Sequence, residues 1–488
     1  MDLNELSGTL LLFHRGSSNF ITGITNNSKD VKKGFIFIAI KGTKTDGHLF
    51  VEDAIKKGAS AVVLQDKKVA EKIKSRYPQV NILLSENTRE TQAVLARRFF
   101  DEPDKGLKII GVTGTNGKTT TANLIYQYLL LAGKETGIIG TINYRYKETV
   151  FGEGRTTPDA IEWYRLLNQM KKMGAEYVVS EISSHALDQY RVHGTEFEGA
   201  VFTNLTQEHL DYHRNMENYF QAKKKLYRYV KGVFSINTDD FYGNRLYQEV
   251  KNKVRAVSYG REGRDFKIVD EKISVKGTEF TLIAYGKKYR IKTNLLGFFN
   301  IYNTVAAISL LNSIGFEIDF LVENAVKLKP VKGRFETIYN GDFLVVNDYA
   351  HTPDALEKVL QSLKKLKHNR IIVVFGAGGD RDKEKRPVMG SVAERYADKI
   401  IITSDNPRSE DPLKIIEDIK KGIKEKDYTV IPDRKEAIKK AIEKAKPNDI
   451  VLIAGKGHEN YQIIGEKIIP FDDTEIAKLF LKERGLLC

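Results

Sequence analysis

The order of apolar and polar positions divides the chain into short buried strands alternating with amphipathic helices. GFIFIAI (Gly34–Ile40) and Ala59–Leu64 read as strands, with the loop KGTKTDGH and a helix over Phe50–Lys57 between them. Leu107–Val112, Thr136–Gly140, Tyr177–Glu181 and Ala200–Thr203 are apolar runs of the kind a parallel sheet buries on both faces. Tyr126–Leu131 and Ile161–Met173 read as helix. Between about Val254 and Lys292 the pattern changes to alternation, as in Phe280–Ala284 and Lys288–Ile291, which predicts β-hairpins. GFFNIYNTVAA (Gly297–Ala307) opens a helix. Beyond Val331, strands at Phe343–Asn347, Ile371–Phe375, Lys399–Thr403 and Asp449–Ala454 alternate with helices such as Pro353–Lys367 and Leu413–Lys426. That repetition predicts a doubly wound parallel sheet with its loops at one edge.

The 488 residues exceed what one core organises. The polar, proline-containing stretch DEPDK (Asp101–Lys105) and the change of pattern near Val331 set the expected boundaries. They give an α/β chain of three domains: a small α/β domain over 1–102, a central parallel sheet over 103–330 and a Rossmann-like domain over 331–488. No apolar run reaches the ~20 residues of a membrane span. The apolar stretch near the N-terminus has no basic segment before it and is shorter than a signal peptide. The only cysteine is Cys488, so an internal disulfide is excluded and a reducing cytoplasm is expected.

A net charge of +14 admits a nucleic-acid binder or an enzyme for anionic nucleotides. The lysines are spread over amphipathic helices, with no basic run interleaved with aromatics, which favours the enzyme. IIGVTGTNGKTTTA (Ile109–Ala122) carries the chemistry: a buried strand, a glycine loop and a helix start. Gly114 and Gly117 let Thr115, Asn116 and Thr120 sit in a loop whose N–H groups converge on an anion. Lys118 adds a cation, Thr119 offers a hydroxyl to magnesium, and the helix N-terminus faces the same point. The spacing Gly114-x-x-Gly117-Lys118-Thr119 is tighter than the general phosphate-loop motif. Glu181 and His209 follow the ends of two further strands, a hard oxygen and an imidazole suited to magnesium. His209 and His213 have zinc-protease spacing, but Glu208 precedes the first histidine instead of following it. GAGGDR lacks the third glycine of a dinucleotide fingerprint, because position 381 is Arg381.

GTNGKTT, SEISSHALDQYR, NLTQEHLDYH, YFQAKKKLY, DNPR and GKGHE resemble, in order and spacing, the Mur ligase family. These are the ATP-dependent amino-acid-adding enzymes of peptidoglycan synthesis. The resemblance spans nearly the whole chain. It implies an amide ligase acting through an acyl phosphate, with ATP as substrate and Mg2+ as cofactor. Its implied partners are UDP-N-acetylmuramoyl-L-Ala-D-Glu and meso-diaminopimelate, with no nucleic acid, and the chain is expected to act as a monomer.

The resemblance puts Glu181 and His209 on magnesium with Thr119, together with a carbamylated Lys223. It assigns Asn300, Arg334 and Asp348 to the nucleotide. Thr156, Thr157, Ser183, Gln189 and Arg191 are assigned to the UDP-muramoyl peptide, and so is Ser28, which lies in Asn27-Ser28-Lys29 where the family has Asp-Ser-Arg. Arg381, Asp405, Asn406, Pro407, Arg408, Gly455 and Glu459 are assigned to the amino acid. L-Lysine in place of diaminopimelate, or a folylpolyglutamate-synthase-like ligation, are the alternatives. The second shares the core but lacks the first domain and DNPR.

Overall fold

The computed structural model describes residues 1–8, 10–42, 45–152 and 154–487. Cys488 and positions 43 and 44 of the KGTKTDGH loop lie outside the described residues. The chain forms two compact units, Met1–Gly263 with Ala306–Phe316 and Arg264–Val305 with Glu317–Cys488.

The first unit holds two sheets. The smaller has five strands in the order Leu11–His14, Asn81–Leu84, Ala61–Leu64, Phe35–Ile38 and Gly23–Thr25, parallel except for the first. In the larger, Lys108–Thr113 lies between the parallel strands Tyr177–Glu181 and Phe197–Phe202. Val230–Asn237 and Arg255–Gly260 extend it on one side, and Thr136–Ile139 with an antiparallel pair at Tyr144–Tyr146 and Thr149–Gly152 on the other. The apolar run Ile109–Val112 is central because it can be buried on both faces. At Gly111 an added Cβ would stand 3.0 Å from the Phe197 ring, so a side chain there would crowd that ring. The helix Ala160–Lys172 packs Trp163 into this core, its indole N–H donating to Thr195 Oγ1 at 2.9 Å.

DEPDK is not a loose linker. Pro103–Gly106 forms a turn of 3-10 helix, Asp104 is buried, and Arg97 Nε and Nη2 each donate to it at 3.0 Å.

In the second unit Phe266–Ser274, Gly277–Ala284 and Lys287–Thr293 form an antiparallel meander. Its alternation buries Phe280, Leu282 and Ala284. A six-stranded sheet follows, in the order Glu336–Asn340, Leu344–Asp348, Ile450–Ala454, Ile371–Phe375, Lys399–Ile402 and Tyr428–Val430, all parallel after the first. The helices Pro353–Lys364, Lys385–Tyr396 and Pro412–Lys420 cover one face, and Arg434–Lys444 with Asp473–Glu483 the other. The parallel strands deliver their following loops to one edge, as the pattern predicts.

Two helices are shorter than their amphipathic pattern. The one expected over Leu413–Lys426 stops at Lys420. Gly422 lies so close to Pro387 that a Cβ would meet its carbonyl oxygen at 1.8 Å, and the N–H groups of Lys424, Glu425 and Lys426 turn to Glu394 Oε1. The helix expected over Pro353–Lys367 stops at Lys364. Among the described residues no helix is long and apolar enough to cross a membrane.

Candidate functional site

The phosphate loop turns at two glycines with positive φ, Gly114 (144°) and Gly117 (85°). A Cβ on Gly114 would stand 1.9 Å from Thr203 Oγ1, so only glycine lets the loop pass the end of the neighbouring strand. The loop is held from that strand end: Thr203 Oγ1 and Asn204 Nδ2 donate to the Asn116 carbonyl, and the Asn116 N–H donates to Asn204 Oδ1. The helix Lys118–Leu131 starts at once, so Thr119 and Thr120 lie in its first turn. Lys118 Nζ donates to the carbonyls of Gly114 (3.0 Å) and Thr115 (2.7 Å).

Glu181 lies at the end of its strand, 1% exposed. Thr119 Oγ1 donates to its Oε2 at 2.8 Å, and Thr141 donates from its N–H to Oε1 at 2.7 Å and from its hydroxyl to Oε2 at 3.1 Å. Among the described residues no lysine or arginine forms an ion pair with this carboxylate. A buried anion ringed by hydroxyls, with no cation beside it, fits a hard divalent ion. Among the described residues no three His, Cys, Asp or Glu side chains gather closely enough to hold a metal. A magnesium site here therefore needs oxygen donors beyond those residue types.

Lys223 supplies a group that can become one. It is 1% exposed, its Nζ donates to the Gly114 carbonyl at 2.7 Å, and it lies 4.9 Å from the Tyr219 ring centre. Lys118 shares that carbonyl. Burial, and then the Lys118 charge, hold the Lys223 amine well below its ordinary pKa.

His209 is a positive-φ residue (57°), with Nε2 3.7 Å from Glu208 Oε2. Burial depresses its pKa, Glu208 opposes that, and Lys118 and Lys223 add to it, which favours a neutral ring. His185 packs edge-on to it, ring centres 4.9 Å apart, and is pushed down to about 4, first by burial. His213 instead bonds Ser184 Oγ through Nε2 at 2.9 Å.

The residues assigned to the muramoyl peptide divide into two places. Thr157 Oγ1 donates to the Glu181 carbonyl and accepts from the Ser183 N–H. Thr156 Oγ1 is 3.1 Å from Thr141 Oγ1. Arg191 donates to the Thr157 carbonyl and to Gln189 Oε1. These five form one network with Glu181. Ser28 lies apart, in a short 3-10 turn capped by the Asn27 side chain, its carbonyl accepting from Lys57. His48, in the Asp46-Gly47-His48 turn, uses both ring nitrogens on Asp46 and the Gln65 N–H, which accounts for it structurally.

The remaining assigned residues belong to the second unit. Asn300 lies inside the helix Phe298–Ser313, buried, donating to the Leu296 carbonyl and accepting from Asn303. Arg334 stacks on Tyr349 at 4.5 Å, with its buried Nε unpaired. Asp348 accepts from the Phe335 N–H at 2.7 Å, and burial pushes its carboxyl up to about 6 against the pull of Arg334. The native state thus holds a proton that the unfolded chain, near 3.8, releases between about pH 4 and 6. Stability from this group falls as pH rises through that window. Asp348→Asn is expected to match wild type at pH 4 and to exceed it above pH 6 by up to roughly 3 kcal/mol. Urea unfolding at both pH values checks this.

DNPR and GKGHE close on each other. Asn406 Nδ2 donates to Glu459 Oε2 at 2.8 Å. Gly455 has φ 121°, and a Cβ on it would stand 2.5 Å from Asp405 Oδ2, a buried oxygen with no partner. The Pro407 carbonyl lies against Gly379, where a Cβ would meet it at 1.8 Å. Arg408, another positive-φ residue (52°), donates to the Gly379 carbonyl at 2.8 Å. Arg381 is exposed and forms no hydrogen bond or ion pair among the described residues. Sequence reasoning passed over Thr141 and Lys456. Thr141 was findable, because it follows a strand neighbouring that of Glu181. Lys456 is fully buried between Asn406 and Glu459, which its place in GKGHE does not signal.

Comparison with known proteins covers the chain in three parts. Residues 20–100 match the Mur ligase family catalytic domain, 112–311 the Mur ligase middle domain and 333–457 the Mur ligase glutamate ligase domain. A UDP-N-acetylmuramoyl-L-alanyl-D-glutamate–2,6-diaminopimelate ligase of Aquifex aeolicus (strain VF5) is 50% identical over 469 residues, 96% of this chain and 95% of that protein. A protein of the same name from Caldanaerobacter subterraneus subsp. tengcongensis is 44% identical over 96% of each chain. A solved structure of a ligase of that name superposes with TM-score 0.73 at 34% identity, over 99% of both chains. A MurF ligase from Thermotoga maritima in complex with ADP shares the fold, with TM-score 0.62 at 21% identity over 98% of both chains.

Proposed function

Because the chain belongs to the Mur ligase family of ATP-dependent ligases, we propose that it joins meso-diaminopimelate to the D-glutamate side chain of UDP-N-acetylmuramoyl-L-Ala-D-Glu. The observation that carries this reading is the buried Glu181 carboxylate bonded to Thr119 at the head of the phosphate-loop helix. A carboxylate resists amines because it is anionic and its leaving group is oxide. ATP removes both obstacles: the carboxylate oxygen attacks the γ-phosphorus, ADP leaves, and an acyl phosphate forms. The amine then attacks the acyl carbon, loses a proton and expels phosphate. Such transfer is mainly positioning and charge neutralisation.

Lys118 and the N–H groups of Gly114–Thr120 hold the phosphates in this scheme, and the family pattern adds Asn300, Arg334 and Asp348 on the nucleotide. Thr119, Glu181, His209 and a Lys223 carbamate would hold magnesium, which when bound neutralises phosphate charge. Thr156, Thr157, Ser183, Gln189 and Arg191 orient the peptide, and Ser28 contacts the uridine end. DNPR with Arg381, Gly455 and Glu459 receives the amino acid. The reading keeps the division at 102/103 and 330/331, a single chain as the active species, and the cytoplasm as its place. Mass analysis of the product tests it: the UDP substrate must gain one diaminopimelate residue only when ATP is present. A gain of glutamate on a folate, or no gain, contradicts it.

The depressed amine of Lys223 supports its carbamylation. The neutral amine attacks the carbon of CO2, forming a C–N bond and releasing a proton, and a buried neutral nitrogen becomes an anionic oxygen ligand. In carbon-13 bicarbonate the protein is expected to show one carbamate resonance that Lys223→Ala lacks. That variant should lose about 100-fold or more in activity, in the range of a removed electrostatic group, and regain part of it in acetate. A wild-type rate in Lys223→Ala contradicts the assignment.

A further inference from the structure

Lys456 lies between the two loops that the proposed function assigns to the incoming amino acid, yet none of the motif chemistry uses it. Its side chain has no exposed surface. Nζ donates to Asn406 Oδ1 and to Glu459 Oε2, each at 3.1 Å. Asn406 Nδ2 donates to the same carboxylate oxygen at 2.8 Å, closing a three-membered ring of side chains. Asn406 Oδ1 also accepts from the Ile463 N–H at 2.9 Å, so its amide cannot flip without breaking both acceptor contacts. The surrounding backbone is tight. At Gly457 an added Cβ would stand 2.7 Å from the Gly333 carbonyl oxygen, and at Gly333 one would stand 2.1 Å from the His458 nitrogen. The nearby buried charges Arg434 and Asp473 neutralise one another through hydrogen bonds of 2.7 and 2.8 Å. Lys456 forms the ion pair with Glu459, and Arg434 the one with Asp473.

A fully buried ammonium costs much desolvation, which its bonds must offset. What those bonds accomplish is geometric. They hold Oε2 of Glu459 inside the ring and leave Oε1, whose protein contact is the Tyr349 hydroxyl at 3.4 Å. They also fix which face of the Asn406 amide meets a ligand. We infer that Lys456 is a positioning residue for amino-acid selection: it locks Asn406 and Glu459 in the one arrangement that receives the amine substrate. This rests on the amino-acid site proposed above.

Lys456→Met keeps the unbranched chain and removes the charge and donors, and Glu459→Gln and the double variant complete a cycle. Lys456→Met is expected to raise KM for diaminopimelate about tenfold or more, the worth of hydrogen bonds to a charged group, with KM for ATP and for the UDP substrate within about twofold of wild type. The double variant should lose less than the product of the two single losses, because Lys456 acts through Glu459 and Asn406 together. A merely structural lysine would lower the melting temperature without this split among substrates. If Lys456→Met does not fold, Lys456→Gln, which keeps a donor to Asn406, takes its place in the same comparison. Unchanged KM for diaminopimelate in a folded Lys456 variant, with KM raised in Glu459→Gln, overturns the inference alone. Unchanged KM in Glu459→Gln itself overturns the amino-acid site on which it rests.

Discussion

Lys118→Ala is expected to lose ligation by about 10³-fold or more while keeping its fold. The ammonium stands at the head of the phosphate-loop helix, on the Gly114 and Thr115 carbonyls. Removing it takes away stabilisation that grows as charge moves onto the leaving ADP, so kcat falls more than KM rises. A 10³-fold loss corresponds to about 4 kcal/mol of barrier. The half-buried side chain leaves no large cavity when truncated, so the melting temperature is expected to move by only a few degrees. Steady-state kinetics with a thermal melt of the same preparation check both halves. A folded variant with near-normal turnover would remove the phosphate-loop reading.

The second large effect concerns the amine. meso-Diaminopimelate has a carboxylate and an ammonium at its far end, and L-lysine has the ammonium alone. Arg408 is held with a positive φ and donates to the Gly379 carbonyl, with Arg381 exposed nearby on the same loop edge. A guanidinium fork matches a carboxylate with two parallel hydrogen bonds. Without that carboxylate, the lysine complex leaves Arg408 desolvated and unmatched. Discrimination of ~10⁴ in kcat/KM is expected, as for other sites built around a polar group that the analogue lacks. Arg408→Met should erase most of this ratio by lowering the diaminopimelate value and leaving lysine nearly unchanged. Equal kcat/KM for the two amines in wild type would cancel the specificity claim and leave the ligase claim intact.

The parts of this site legible in the sequence are those whose chemistry is local. Gly114, Gly117, Lys118 and Thr119 lie in one turn, and their roles follow from backbone freedom, charge and hydroxyl in succession. Glu181 could be placed because the end of a buried parallel strand is a defined location. Lys223 could not be singled out from its residue type, since Lys224 and Lys225 follow it directly. The fold separates the three because successive helix positions point about 100° apart. Lys223 turns inward beneath the loop, while Lys224 and Lys225 pair with Glu249 and Asp188. The DNPR and GKGHE loops are 50 residues apart at their Asn406–Lys456 contact, and only the parallel order of the last sheet brings them together. Most edges of the strands read from the pattern lie within a residue or two of those formed, but the strands read from Ala200 and from Phe280 begin three residues earlier, at Phe197 and Gly277. The helix end at Lys420 was passed over although Gly422 follows its cap, and the close approach of Gly422 to the Pro387 carbonyl is not visible in the sequence.

The most direct test of the central claim follows one oxygen atom. UDP-N-acetylmuramoyl-L-Ala-D-Glu labelled with heavy oxygen in the glutamate side-chain carboxylate is turned over with ATP and meso-diaminopimelate, and the inorganic phosphate is analysed by mass. Attack of that carboxylate on the γ-phosphorus, followed by amide formation, transfers one labelled oxygen into each phosphate released. One label per phosphate and one amide per ADP are expected. Unlabelled phosphate, or ADP formed at the same rate without the UDP substrate, would contradict the claim.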